Sequence, residues 1–183
     1  TSENQNPDSW ERFITDTRRT YHREGIFTPA VEDIISHTMM SGDEKILSLL
    51  KTYFEPDDYF LVYKRMIGTG CIGGKACGML LARKIIQKEN PEASAHMEPH
   101  DSYYLGSDVF YTYIVHNKFW RLHIHQKTKQ GYFKLAPELE QAFLSGSFPE
   151  SIRLQFIRML EYFGQRPIIV RSSSLQEDAF GNA

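Results

Sequence analysis

Gly68-Thr69-Gly70-Cys71-Ile72-Gly73-Gly74-Lys75 is the stretch on which the reading of this chain turns. Four of its first seven residues are glycine, and a lysine follows. The residues after it, to about Lys88, place Met79, Leu80, Ala82 and Ile86 at helical spacing and predict a helix. Glycine lets successive backbone N–H groups turn toward one anion with no side chain in the way. The start of a helix adds unpaired N–H groups and the positive end of the helix dipole, and Lys75 adds a full charge. Together these make a phosphate cradle. The plain structural alternative is a tight turn that lets a helix pack closely on a strand.

Spacing separates the known loops of this kind. A Walker A loop needs Gly-x4-Gly-Lys-Ser/Thr; here Ala76 follows Gly74-Lys75, and Thr69 stands where the first glycine belongs. The magnesium-binding hydroxyl is missing, so that loop is excluded. Gly68-x-Gly70-x-x-Gly73 matches the dinucleotide fingerprint, which expects a second strand ending in an acidic residue about 20 positions on. The chain instead continues as helix into Asn90-Pro91-Glu92. A kinase glycine loop returns in a strand that carries the lysine; here the lysine opens a helix.

Upstream, the chain reads as helices. Trp10, Phe13, Ile14, Thr17 and Tyr21 form one stripe, with Ser9 as a cap, and Val31, Ile34, Ile35, Thr38 and Met39 form a second behind Pro29. Ser41-Gly42-Asp43-Glu44 reads as a capping box ahead of Ile46, Leu49, Leu50, Tyr53 and Phe54. Glu55-Pro56-Asp57-Asp58 breaks the pattern, and the aromatic run Tyr59–Tyr63 predicts a strand. Downstream, residues 90–101 predict a loop and Tyr103–His125 mainly β structure, with Pro137–Leu144 a short helix. Ser147-Phe148-Pro149-Glu150 predicts a capped helix with Ile152, Phe156, Ile157, Leu160 and Phe163 on one side, ended by Gly164. Pro167-Ile168-Ile169-Val170 predicts a short buried strand. The expected class is therefore α+β, with a helical extension over residues 1–58 ahead of a domain over residues 59–183.

That last strand runs into a second constellation, Arg171-Ser172-Ser173-Ser174. An arginine leaving a strand offers a bidentate grip on phosphate oxygens, and the serines add hydroxyl and N–H groups. Glu177 and Asp178 would pair with Arg171 or hold a cation. A strand followed by a polar loop and no closing element reads as a chain that stops inside a domain.

Taken together, Gly73-Gly74-Lys75-Ala76 and Val170-Arg171-Ser172-Ser173 with Glu177-Asp178 resemble the nucleotide-binding domain of the pyruvate phosphate dikinase and phosphoenolpyruvate synthase family. The resemblance covers about Tyr59 to Ala183. It implies the N-terminal portion of an ATP-grasp-like domain, in which Lys75 and Arg171 contact the ATP phosphates and Gly73, Gly74, Ser172 and Ser173 line the site. It implies a parent phosphotransferase that uses ATP and Mg2+ and passes a phosphoryl group through a phospho-histidine on a downstream domain to pyruvate or another acceptor. The metal ligands and that histidine are expected beyond this stretch, so this stretch alone is expected to be inactive. Where the family has Val-Pro-Pro-Gly-Phe, this chain has Ser102–Phe110, which leaves the acceptor open. A non-catalytic regulatory module and a dinucleotide-dependent oxidoreductase are the alternatives.

Composition narrows the classes further. The 183 residues carry 21 basic and 23 acidic side chains, so no basic excess marks a nucleic-acid binder. No apolar run approaches the roughly 20 residues of a membrane helix, and Thr1–Phe13 has no signal-peptide core; cytoplasm is the simplest compartment. Cys71 and Cys77 form neither a disulfide framework nor a zinc site. His123 and His125 would share one face of a strand but lack a third ligand, so no metal site is expected among these residues.

Overall fold

The computed structural model describes residues 8–128 and 131–172. They are mostly helical, with one two-stranded sheet, and form two compact units. The first takes in residues 8–66 and 70–104 together with Ser172; the second takes in residues 67–69 and 105–171.

In the first unit, α1 (Ser9–Glu24) starts at Asp8, whose carboxylate accepts from Glu11 N at 2.7 Å, and ends at Gly25 in the left-handed region (φ 70°). The cap is thus Asp8 rather than Ser9. Helix α2 (Pro29–Ile35), capped by Thr28, widens into a π-helical turn, Ser36–Met40. Helix α3 (Glu44–Tyr53) is capped by Asp43, which accepts from Lys45 N and Ile46 N; Ser41 instead accepts from Asp43 N.

The expected strand at Tyr59–Tyr63 is a helix, α4 (Pro56–Lys64). What reads as a breaker is an N-terminus. Pro56 occupies the first turn, where its missing N–H costs nothing, and Asp58 Oδ2 accepts from Glu55 N at 2.9 Å. The aromatic run then buries Tyr59, Phe60 and Val62, and tertiary burial outweighs β propensity.

Helix α5 (Gly74–Glu89) forms as expected, but rotated: Cys77 and Leu81 are the buried residues, flanked by Ala76, Leu80 and Ile85, while Ile86 is exposed. Helix α6 (Pro91–Ala95) occupies part of the expected loop. The core draws Ile14, Ile35, Met39, Leu47, Leu50 and Tyr59 onto Ile72, Cys77 and Leu81.

The strands β1 (Met66–Ile67) and β2 (Tyr104–Leu105) run parallel. Tyr104 N donates to Arg65 O and Gly106 N to Ile67 O, both at 2.9 Å, so the pairing advances in one direction on both strands. The glycine stretch thus lies in a strand–loop–helix–strand unit.

In the second unit, the segment expected to be mainly β is helical after Leu105: α7 (Ser107–His116) and α8 (Trp120–Gln126). Aromatic and β-branched residues here also fall at helical intervals, with Val109 and Ile114 buried and the Tyr113 ring tilted against Phe148 at 4.7 Å and edge-on to Phe143 at 5.9 Å. Then follow α9 (Gly131–Lys134), α10 (Ala136–Ser145) and α11 (Glu150–Phe163), which Gly164 ends at φ 60°. No side chain caps α11. Ser147 is bound instead by Asn117, which accepts from Ser147 N and donates to Ser147 O, each at 2.9 Å. The expected strand at Pro167–Val170 is irregular, with Ile169 and Val170 almost fully exposed. Strand geometry needs a hydrogen-bonded neighbour, and among the described residues these have none.

Truncating Leu50, which has no exposed surface, leaves a cavity in the first unit: Leu50→Ala lowers unfolding free energy by about 2–5 kcal/mol in urea titrations. Burial holds the Glu32 carboxyl above its ordinary 4.5, against the lowering effect of its hydrogen bond from Tyr59. Between 4.5 and that raised value the folded chain binds more protons than the unfolded one, so stability falls as pH rises through the window. Glu32→Gln removes this loss. Thermal melts should show the variant gaining on the wild type from pH 4.5 upward and levelling off above the raised value.

Candidate functional site

The loop 68–75 links β1 to α5, and its conformation needs its glycines. Gly68, Gly70 and Gly73 have φ of 74°, 82° and 85°, the left-handed region that other residues avoid. Gly73 stands at the N-cap of the 16-residue helix α5 and has no side chain with which to cap it.

The loop's N–H groups divide into three sets. Gly68 N donates to Gln155 Oε1 at 3.0 Å and Thr69 N to Asp108 Oδ1 at 2.7 Å, all four residues belonging to the second unit. Ile72, nearly buried in the first unit, donates its N–H to Met39 O at 3.0 Å. Met39 lies in the π-helical turn, where the wider ring displaces carbonyls from the α-helical ladder. The Cys71 thiol sits 3.5 Å from Thr38 O, in the same turn. By contrast, the N–H groups of Gly70, Cys71, Gly73 and Gly74 have no acceptor among the described residues. Those are the groups an anion would meet.

Lys75, half-buried in the first turn of α5, donates from Nζ to Ser172 O at 3.4 Å. Within the first unit the structure thus brings Lys75 of the first signature to Ser172 of the second. Arg171, the preceding residue, is exposed and belongs to the second unit. Ser173, Glu177 and Asp178 lie outside the described residues.

Both cysteines are free. Burial raises the Cys71 thiol pKa, and burial with Cys71 nearby pushes Cys77 up to about 12, so neither is a thiolate nucleophile at neutral pH. His123 and His125 lie on α8, not on a strand, so their two-residue spacing sets them on different sides of a helix. His123 is buried, and burial, then Lys127, lowers its pKa. Among the described residues no group of three or more His, Cys, Asp or Glu side chains is placed to hold a metal ion, and no helix is long and apolar enough to cross a membrane. The sheet has two strands among these residues, short of the multi-stranded parallel sheet of a dinucleotide-binding fold.

Asp108 and Gln155 escape sequence reasoning. They stand 39 and 87 residues from their partners, and no spacing rule links them to the loop. Gly106 belongs with them: a Cβ there would lie 1.7 Å from Thr69 O.

A family model described as "Pyruvate phosphate dikinase, AMP/ATP-binding domain" matches residues 69–183, more than half of the chain. No curated protein and no solved structure matches.

The contact at Gly106 is with backbone, which no rotamer change relieves. Gly106→Ala is expected to cost about 1–3 kcal/mol or to shift the loop. Denaturant unfolding reads the first outcome, and faster amide exchange at Gly68 and Thr69 the second.

Proposed function

The chain belongs to the pyruvate phosphate dikinase AMP/ATP-binding domain family, and from that premise we propose that loop 68–75 holds the phosphates of ATP in a dikinase-type phosphotransferase. The observation that carries this reading is the meeting of the two signatures: Lys75 reaches Ser172, 97 residues on, beside four loop N–H groups without an acceptor among the described residues.

In this reading Gly70, Cys71, Gly73 and Gly74 present N–H groups to phosphate oxygens, and Lys75 exchanges its carbonyl contact for a phosphate. Arg171 and the Ser172 and Ser173 groups close the site from the second signature. Phosphoryl transfer asks for positioning and charge neutralisation more than covalent help. A cation about 4 Å from a phosphate oxygen gains roughly 4 kcal/mol at an effective dielectric near 20, before desolvation. An ATP-grasp-like architecture, a phospho-histidine on another part of the protein and pyruvate as acceptor complete the proposal. Magnesium would accompany ATP, held by ligands other than a cluster among the described residues.

Full-length enzyme carrying Lys75→Ala or Arg171→Ala is expected to lose turnover by at least about a hundredfold, the scale of removing one transition-state charge contact, while thermal unfolding moves little. ATP should protect Lys75 from amine modification in the wild type. Near-normal turnover of Lys75→Ala with no protection would point instead to a non-catalytic module.

A further inference from the structure

Two of the loop's N–H groups are already committed to side chains of this protein, and the pattern of commitment is specific. Asp108, in the first turn of α7, places a carboxylate oxygen 2.7 Å from Thr69 N. Gln155, on α11, places its amide oxygen 3.0 Å from Gly68 N, and its own Nε2 donates to Ser151 O at 3.3 Å, which fixes which end of the amide faces the loop. The helix start also lies directly against the loop backbone. A Cβ on Gly68 would come within 2.4 Å of Val109 Cγ2 and 2.8 Å of Asp108 Oδ1, and one on Gly106 would overlap Thr69 O.

We infer that Asp108 and Gln155 are positioning residues for the phosphate loop. They occupy the N–H groups of Gly68 and Thr69 and so restrict an incoming polyanion to those of Gly70, Cys71, Gly73 and Gly74 and to Lys75. The role rests on the ATP-binding reading above. Two properties follow from the chemistry. A glycine-rich segment has the most conformational freedom to lose; two acceptors from separate helices, one of them charged, remove it before the ligand arrives, and preorganised donors bind without that cost. Asp108 Oδ1 serves here as the acceptor of Thr69 N–H. What matters at position 108 is then an acceptor oxygen, not a negative charge, and asparagine supplies one.

The intact protein tests this with Asp108→Asn, Asp108→Ala and Gln155→Ala. Amide exchange at Gly68 and Thr69 is followed without nucleotide, and ATP affinity is measured separately. Asp108→Ala is expected to speed exchange at Thr69 and weaken ATP binding, each by about tenfold, the size of one charge-assisted hydrogen bond. Asp108→Asn is expected to stay within about threefold of wild type on both. Gln155→Ala should act in the same direction at Gly68, and it carries the test with Asp108→Asn if Asp108→Ala does not fold. Equal losses in Asp108→Asn and Asp108→Ala would overturn the inference, because charge rather than acceptor geometry would then matter. Wild-type ATP binding that Asp108→Ala and Gln155→Ala leave unchanged would also overturn it, with the ATP-binding reading intact. A wild type that binds no ATP while the exchange pattern holds would overturn that reading, and the positioning role with it.

Discussion

A backbone N–H turned away from solvent must find an acceptor, and that requirement organises loop 68–75. The loop contributes donors in quick succession, and glycines at positive φ aim them where ordinary residues cannot. At the front the donors meet Gln155 and Asp108, and further on Ile72 meets Met39 O, while Gly70, Cys71, Gly73 and Gly74 meet no acceptor among the described residues. The candidate site is the part of the loop whose N–H groups no described residue occupies.

The rest of the first unit keeps that part of the loop in place. Cys77 and Leu81 seat α5 on a core built from α1, α2, α3 and α4, with Ile72 as the loop's own anchor. The π-helical turn has a concrete use here, since its carbonyls receive the loop. Once α5 is anchored by its buried side, Lys75 in its first turn remains half-buried and able to reach Ser172. In the second unit, α7 and α11 supply both oxygens at the front of the loop, while aromatic rings around Tyr113 pack their helices.

Legibility followed the range of the interactions. The stripe of α1 and the loop-to-helix step at Gly73 were readable, because burial periodicity and glycine chemistry are local. So was the family, whose match begins at residue 69, inside the loop. In α3 the expected stripe was partly misplaced, since Leu49 is exposed and Leu47 is buried. Tyr59–Tyr63 and Tyr103–His125 were misread as β because aromatic and β-branched residues serve any buried surface. In α4 the deciding facts were a reciprocal cap at Glu55 and Asp58 and three buried side chains. Ile168–Val170 shows the converse: an apolar run forms no strand where no described residue offers it a hydrogen-bonded edge.

By itself the sequence determined the chemistry on offer: backbone donors bunched by glycine, a lysine at a helix start, and an arginine-serine signature about a hundred residues later, enough to name a family and a ligand class. The tertiary structure alone decided which donors are taken by described residues. That choice depends on Asp108, Gln155 and Met39 arriving from distant parts of the chain, and a hydrogen bond is set by where atoms lie in space, which residue spacing does not encode.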